Sequence, residues 1–359
     1  MNLAWPVKLV VSENERERCQ LPIFIIVIMT MFGMEGMDSF SRDDRDRHLI
    51  TRGNVDGIVC ASLFLRMFPQ GRVSFVTSPT AGARTLSMDQ TSSFILLADL
   101  ALVPELEKGI SEIVPEREVI TIDHHQPHAA NGAQSTLVIR EGMSAASVLY
   151  HHLRLDGEMR RLVAIADLME YCETDLLEEE IEKHGLKKVF DEARVLDFSW
   201  RLDIGDDLFR AQASARLSQG FWPSEVGMIK RRYLQVVNEQ RWPKALARVS
   251  SNLIIRGETA VLESHDKNRS LYGFGTRALV EVARKRGCNY AVMVNQRRQH
   301  SSVSLRGLRP DGVNLGQFVE DFTAIHGLEG GGHPTSAGAR IPVETTDRFL
   351  DQFVGLTNR

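Results

Sequence analysis

Short apolar runs that end in an acid constrain this chain more than any other feature. Ser93 to Leu100 (SFILLADL) and Glu118 to Asp123 (EVITID) each read as a buried strand with a carboxylate at its end. Helical patterns alternate with them, over Ile58 to Met67 (IVCASLFLRM) after a Gly turn, Ser144 to Leu153 and Met159 to Leu168. Strands that alternate with helices predict parallel βαβ units, and so an α/β fold. In such sheets ligands bind beyond the carboxyl ends of the strands. The acids fall there: Asp56 in Asn54-Val55-Asp56-Gly57, Asp99, Asp123-His124-His125, and Asp167 in AIAD.

A chain of 359 residues exceeds one compact domain of usual size. The pattern divides it into an N-terminal extension (1–46) that need not be structured, a parallel-sheet domain (47–190), a helical connector (191–248) and a smaller α/β domain (249–359). Trp222-Pro223 and Trp242-Pro243 punctuate the connector. The last domain reads as strands over Leu253 to Ile255, Ala260 to Leu262, Tyr290 to Val294 and Ser301 to Leu305, with a helix across Arg277 to Arg286. A Gly-rich loop over Gly330 to Gly338 closes it, and a helix beginning after that loop would add its positive end.

Leu21 to Met34 is apolar, but its 14 residues fall short of the roughly 20 needed to span a bilayer. Glu13, Glu15 and Glu17 alternate with arginines ahead of it, unlike the basic start of a secretory signal. A packed accessory helix and a weak membrane contact are both open. Sequence upstream of a true start at Met34 or Met37 is the favoured reading. Cys19, Cys60, Cys172 and Cys288 form no C-x-x-C pair and read as free thiols of a reducing, cytoplasmic compartment. A net charge of −4 argues against a long duplex footprint, though a small anionic substrate needs only a local basic cleft.

A lone Asp at a strand end is usually a cap or turn residue. Acid-rich strand ends together with Asp-His-His directly after an apolar strand are harder to explain that way. Hard oxygen donors with imidazole suit manganese, magnesium or a related divalent ion. His151-His152 lies inside a helical run and carries no assigned chemistry. The second constellation is Gly330-Gly331-Gly332-His333-Pro334-Thr335-Ser336-Ala337-Gly338, with Ser304-Leu305-Arg306 upstream. Glycines let backbone N–H groups approach an anion closely. Gly142 to Ser147 begins a helix that could cap or touch substrate, though its small residues more often serve close helix–sheet packing; Gly273-Phe274-Gly275 reads as a turn, and Glu178 to Glu180 as a solvated helix face.

These motifs resemble those of the DHH phosphoesterase superfamily with its DHH-associated C-terminal domain, over roughly residues 47–350. That family comprises manganese-dependent enzymes: RecJ-like exonucleases, nano-RNases, phosphatases of 3′-phosphoadenosine 5′-phosphate, cyclic-dinucleotide phosphodiesterases and, more distantly, inorganic pyrophosphatases. The resemblance implies that Asp56, Asp99, His124 and Asp167 hold one metal (manganese, with magnesium or cobalt as alternatives), Asp99 bridging. It implies that His125 faces the scissile phosphate, that Asp123 orients His124, and that Ser304, Arg306, Gly331, Gly332 and His333 grip the substrate. Many relatives read His-x-Asp-x-Asp-Gly where this chain has Arg52-Gly53-Asn54-Val55-Asp56-Gly57. Asn54 is at best a weak neutral ligand, and Arg52 has no lone pair to offer.

Arg52 can instead supply positive charge to a phosphate in a one-metal enzyme, or the centre is degenerate and the chain only binds a nucleotide. The leading expectation is hydrolysis of short RNA or DNA oligonucleotides, or of nucleotides. The alternatives are a nucleotide-binding regulatory protein and a polyphosphate or pyrophosphate hydrolase. A homodimer stays open.

Overall fold

The computed structural model describes residues 46–124, 136–265, 271–309 and 312–358. Leu21 to Met34 and His125 lie outside them.

The first sheet is built from β1 (Arg47–Arg52), β2 (Arg72–Val76), β3 (Phe94–Ala98), β4 (Glu118–Asp123) and β5 (Thr136–Ile139) in the order β2-β1-β3-β4-β5. Every neighbouring pair is parallel. Each of the five residues of β3 is buried, as expected for a parallel strand covered on both faces. Successive side chains point to opposite faces. Leu49, Leu96 and Ile122 enter the core built with α1 (Val55–Met67), α4 (Ala145–Leu153) and α5 (Arg160–Met169). Ile50, Ile95, Leu97 and Val119 enter the opposite core, under α2 (Pro79–Met88) and α3 (Pro104–Ile113).

A helical run follows: α6 (Asp175–His184), α7 (Leu186–Arg201), α8 (Asp207–Leu217), α9 (Gly227–Asn238) and α10 (Arg241–Asn252). Trp242-Pro243 sits in the first turn of α10, where proline is tolerated. The solvated face expected for Glu178 to Glu180 needs correction. Glu180 is buried, where it accepts from Arg160 and faces His184, while Glu178 and Glu179 are exposed.

The second sheet is mixed, β10-β11-β9-β8-β7-β6, from β6 (Ile254–Arg256), β7 (Thr259–His265), β8 (Tyr290–Gln296), β9 (His300–Gly307), β10 (Glu329–His333) and β11 (Ser336–Pro342). On one face α12 (Leu315–His326) and α13 (Thr346–Thr357) bury Val303, Leu305, Phe322 and Phe349. On the other, α10 and α11 (Gly275–Lys285) cover Ala260, Leu262, Ala291 and Met293. The Gly-rich segment is not a loop before a helix: Gly330 to Gly332 lie in edge strand β10, and β11 follows. The expected positive helix end is therefore missing there.

Helix α7 belongs to both halves. Val189, Ala193 and Leu196 join the first core, whereas Phe198 joins the second. Fully buried Asp197 accepts from Arg201 at 2.7 Å and from Arg277 of α11. Arg201 also donates to the Gly273 carbonyl at 2.8 Å. A Cβ on Gly273 would lie 2.2 Å from the Arg201 carbonyl, so only glycine fits that contact. Among the described residues no helix is long and apolar enough to cross a membrane.

Candidate metal centre

The carboxyl ends of β1, β3 and β4 deliver the polar groups. Asp56 stands in the first turn of α1, just after β1, and Asn54 caps that helix by accepting from the Gly57 N–H at 2.8 Å. The turn is tight: a Cβ on Gly57 would lie 1.8 Å from the Arg52 carbonyl. From α8, the buried Arg210 guanidinium donates to the Gly53 carbonyl at 3.0 Å and holds the turn from the other side. Asp99 follows β3 with φ 53°, in the left-handed region that Asp and Asn tolerate better than other side chains.

His124 follows β4. Its Nδ1 lies 3.0 Å from the Met143 carbonyl, which can only accept, so Nδ1 carries the proton. Nε2 lies 3.9 Å from an Asp99 carboxylate oxygen. Asp123 accepts from the His124 backbone N–H at 2.8 Å, so it acts on the turn while Met143 sets the ring.

Asp56, Asp99 and His124 each offer a ligand atom, and these atoms lie within 4.8 Å of one another. Two hard oxygens and one imidazole nitrogen form a donor set that fits a divalent cation. Asp167 stands outside this group. One of its oxygens accepts from the Ser144 N–H at 3.1 Å and hydroxyl at 2.6 Å, the other from the Thr174 hydroxyl at 2.7 Å. The Asp56 oxygens accept from the Ala145 and Ala146 N–H groups, both at 2.9 Å. Two buried carboxylates thus meet the N-terminal turn of α4, where free N–H groups and the helix dipole favour negative charge. The expectation that Gly142 to Ser147 serves close packing misses this role.

Burial, and then the charges of Asp99 and Glu170, hold the Asp56 carboxyl well above its ordinary range, against the two helix N–H groups. Glu170 belongs to none of the sequence motifs. It caps the C-terminus of α5, where the helix dipole disfavours an acid, and that unfavourable placement is the available signal. Burial and Asp99 push Glu170 up to about 7, while His124, Arg52 and Arg306 pull the other way. Arg306 arrives from β9 of the second sheet, so both halves of the molecule act on one centre. Burial, then Arg52, pushes its guanidinium down to about 10, still a cation at neutral pH.

Ser304 and Arg306 alternate with buried Val303 and Leu305 along β9, so they share its less buried face. Ser304 pairs with Gly338 of β11, which pairs in turn with Gly331 of β10. These neighbouring positions leave a floor with little side chain. Gly330 and Gly332 are glycine for packing: a Cβ on Gly330 would lie 2.8 Å from Thr323 and Val319, and one on Gly332 would lie 2.4 Å from the Ser336 carbonyl. The His333 side chain lies outside what the structure describes.

Residues 278–357 match the DHHA1 domain family. Curated proteins give no match. Among solved structures, the chain resembles PggH, a pGpG-specific phosphodiesterase from Vibrio cholerae, with a TM-score of 0.53 and 15% identity over 87% of this chain and 99% of that one. It resembles RecJ from Thermus thermophilus, in complex with Mn2+, with a TM-score of 0.59 and 15% identity over 86% of this chain but 51% of RecJ. The DHH domain of a protein assigned to a family of ribosomal proteins gives a TM-score of 0.59 and 15% identity, covering 88% of each chain. The chain thus shares the fold of these structures, and its residues 278–357 carry the match to the DHHA1 domain.

Proposed function

We propose that this chain is a divalent-metal-dependent phosphoester hydrolase acting on short oligonucleotides or nucleotides. The observation that supports the reading is the convergence of Asp56, Asp99 and His124, with Arg306 of β9 acting electrostatically on Glu170 beside them. A bound divalent cation, manganese by the resemblance, supplies an activated water and neutralises charge developing on the phosphoryl oxygens. Arg52 and Arg306 bind and orient the phosphate through charge-assisted hydrogen bonds. Ser304 and the Gly331–Gly338 floor accept the nucleotide end. His125, outside the described residues, is assigned by resemblance to the phosphate or to proton transfer toward the leaving oxygen. Short substrates are favoured by a net charge of −4, which provides no long basic track. The fold shared with a pGpG-specific phosphodiesterase over 99% of its length is consistent with this preference.

The test is manganese-dependent release of mononucleotides from a short RNA oligomer, comparing wild type with Asp99→Asn. Asparagine tolerates the left-handed backbone at this position, so the variant removes charge and leaves the turn intact. The rate is expected to fall by about two orders of magnitude or more. A second reading, a nucleotide-binding protein with a degenerate centre, draws on Arg52 and on the capped Asn54. Tight nucleotide binding with wild-type turnover no faster than Asp99→Asn would establish it in place of hydrolysis.

A further inference from the structure

We infer that the exposed ring of Tyr171, backed by the guanidinium of Arg284, is the platform on which a nucleobase of the substrate stacks, an assignment that rests on the proposed hydrolase only for the phosphate lying at the centre. A base platform narrows the substrate to a nucleotide, as against polyphosphate or pyrophosphate.

Tyr171 directly follows Glu170, the C-cap of α5, and takes φ 58°. The Cys172 N–H donates to the Asp167 carbonyl at 2.9 Å, and the Tyr171 N–H to the Leu168 carbonyl at 3.4 Å. This pair of bonds ends a helix with one left-handed residue just past the cap, a position that suits glycine and, less often, asparagine. A bulky aromatic side chain works against that backbone. Burial does not offset the cost, because Tyr171 is 67% exposed and lies outside the hydrophobic cores. Helix stability alone favours glycine at this site, so the ring answers to something else.

Arg284 stands in the last turn of α11, and its guanidinium lies 5.5 Å from the centroid of the Tyr171 ring. Among the described residues no carboxylate pairs with Arg284. One face of the ring is therefore backed by a cation from the other half of the molecule, and its exposure leaves the opposite face open. Hydrogen bonds tie this turn to the centre. Asp167, one helical turn before Tyr171, is bound at Ser144, and Asp56 is bound at Ala145 and Ala146 of the same α4 turn. A nucleotide with its phosphate at the centre thus meets an open aromatic face beside it. Every nucleobase offers a π-face to such a ring, and a cation behind the ring suits the stack. Inorganic polyphosphate has nothing to place there.

Calorimetric binding to the Mn2+-loaded full chain tests this with adenosine 5′-monophosphate and ribose 5-phosphate, which share sugar and phosphate and differ in the base. Wild type should prefer the nucleotide. Tyr171→Gly should bind adenosine 5′-monophosphate about tenfold more weakly, the loss of one base–aromatic stack, and hold ribose 5-phosphate as wild type does. Its melting temperature should stay at or above that of wild type, because glycine fits the left-handed turn. Tyr171→Phe should keep the nucleotide affinity, since it keeps the ring. Unchanged nucleotide affinity in Tyr171→Gly would leave the ring a clamp between α5 and α11 and overturn the inference. An equal loss for both ligands, or a loss in Tyr171→Phe matching that in Tyr171→Gly, would overturn it too.

The readouts separate the two proposals. Failure of the hydrolase reading appears as no release of mononucleotides from RNA, while the preference for adenosine 5′-monophosphate and its dependence on Tyr171 persist. Failure of the stacking inference appears as turnover of RNA with that preference absent or indifferent to Tyr171→Gly.

Discussion

At the scale of single residues, the motif acids divide into two kinds that look alike in sequence, although Asp167 lies within helix α5 and not at a strand end as expected. Asp99 lies in a strained turn and faces His124, whereas Asp167 anchors the first turn of α4. Charge-assisted hydrogen bonds from Ser144 and Thr174 engage both oxygens of Asp167, and losing the acid would leave buried donors unsatisfied. We therefore expect Asp167→Ala to cost about 3 kcal/mol of stability in urea unfolding, with or without metal. Asp99→Asn should cost far less, because it removes one charge from a cluster of buried acids. Equal stability of the Asp167→Ala variant and wild type would dismiss the anchoring account. The strand-end pattern makes Asp99 and His124 legible, since each follows an apolar run that must be buried, whereas Asp56 is legible only from its Asn-Val-Asp-Gly turn. The engagement of Asp167 is not legible, because Ser144 and Thr174 reach it from other turns and no spacing announces them. Glu170 is hidden for a related reason: its relevance comes from Arg306, far away in sequence and on another sheet.

At the scale of elements, the two ends of the first sheet do different work. The carboxyl end gathers the candidate centre, and the opposite end holds a polar network that pins β1, β2 and the segment after α2. His48 Nδ1 lies 2.5 Å from Asp89, and its Nε2 lies 2.8 Å from the Ser74 hydroxyl. Arg72 donates to both Asp89 oxygens at 2.9 Å. Burial lowers the His48 pKa by more than the Asp89 hydrogen bond raises it, so the imidazole is held neutral. Burial pushes Asp89 up, but the Thr91 N–H, His48 and Ser92 outweigh it and hold the carboxyl well below its usual range.

Both groups bind protons more readily in the unfolded chain, so both contribute stability that is lost as pH falls. The His48 share is fully present above its ordinary value of 6.5 and fades below it; the Asp89 share fades below about 4. Wild type should therefore lose melting temperature between about pH 7.5 and 5.5, and His48→Gln should lose less over the same interval. Parallel curves for the two proteins would rule His48 out as the group responsible. Element types are legible from periodicity here. The Gly-rich strand is not, because three glycines carry no β propensity, and only pairing with Ala337 to Ala339 of β11 makes them a strand.

At the scale of the whole molecule, the question is whether the cleft has a fixed width. A helical connector suggests two domains free to swing, yet α7 contributes to both cores. Phe198 packs edge-on against Phe274 with ring centroids 5.2 Å apart, and Trp242 closes the same cluster at 5.7 Å from Phe198. Asp197 bridges Arg201 and Arg277 in full burial, and Arg201 reaches the Gly273 carbonyl beyond. Arg277 has its pKa lowered by burial despite Asp197, which marks how poorly solvated that guanidinium is.

Removing one partner of a buried ion pair leaves an uncompensated charge, with losses of about 3–5 kcal/mol. We expect calorimetry on wild type to give one cooperative transition over both sheets, because no break in packing separates them along α7. Asp197→Ala should lower its stability by about 3 kcal/mol and, if the bridge is what couples the halves, split the transition in two. Two well-separated transitions in wild type would refute the coupling outright. If the single transition holds, the distance between Arg306 and the Asp99–His124 centre is set by α7 itself. Substrate length would then be read against a fixed span, and replacing Asp197 should broaden the range of oligonucleotide lengths cleaved while leaving the metal donors untouched.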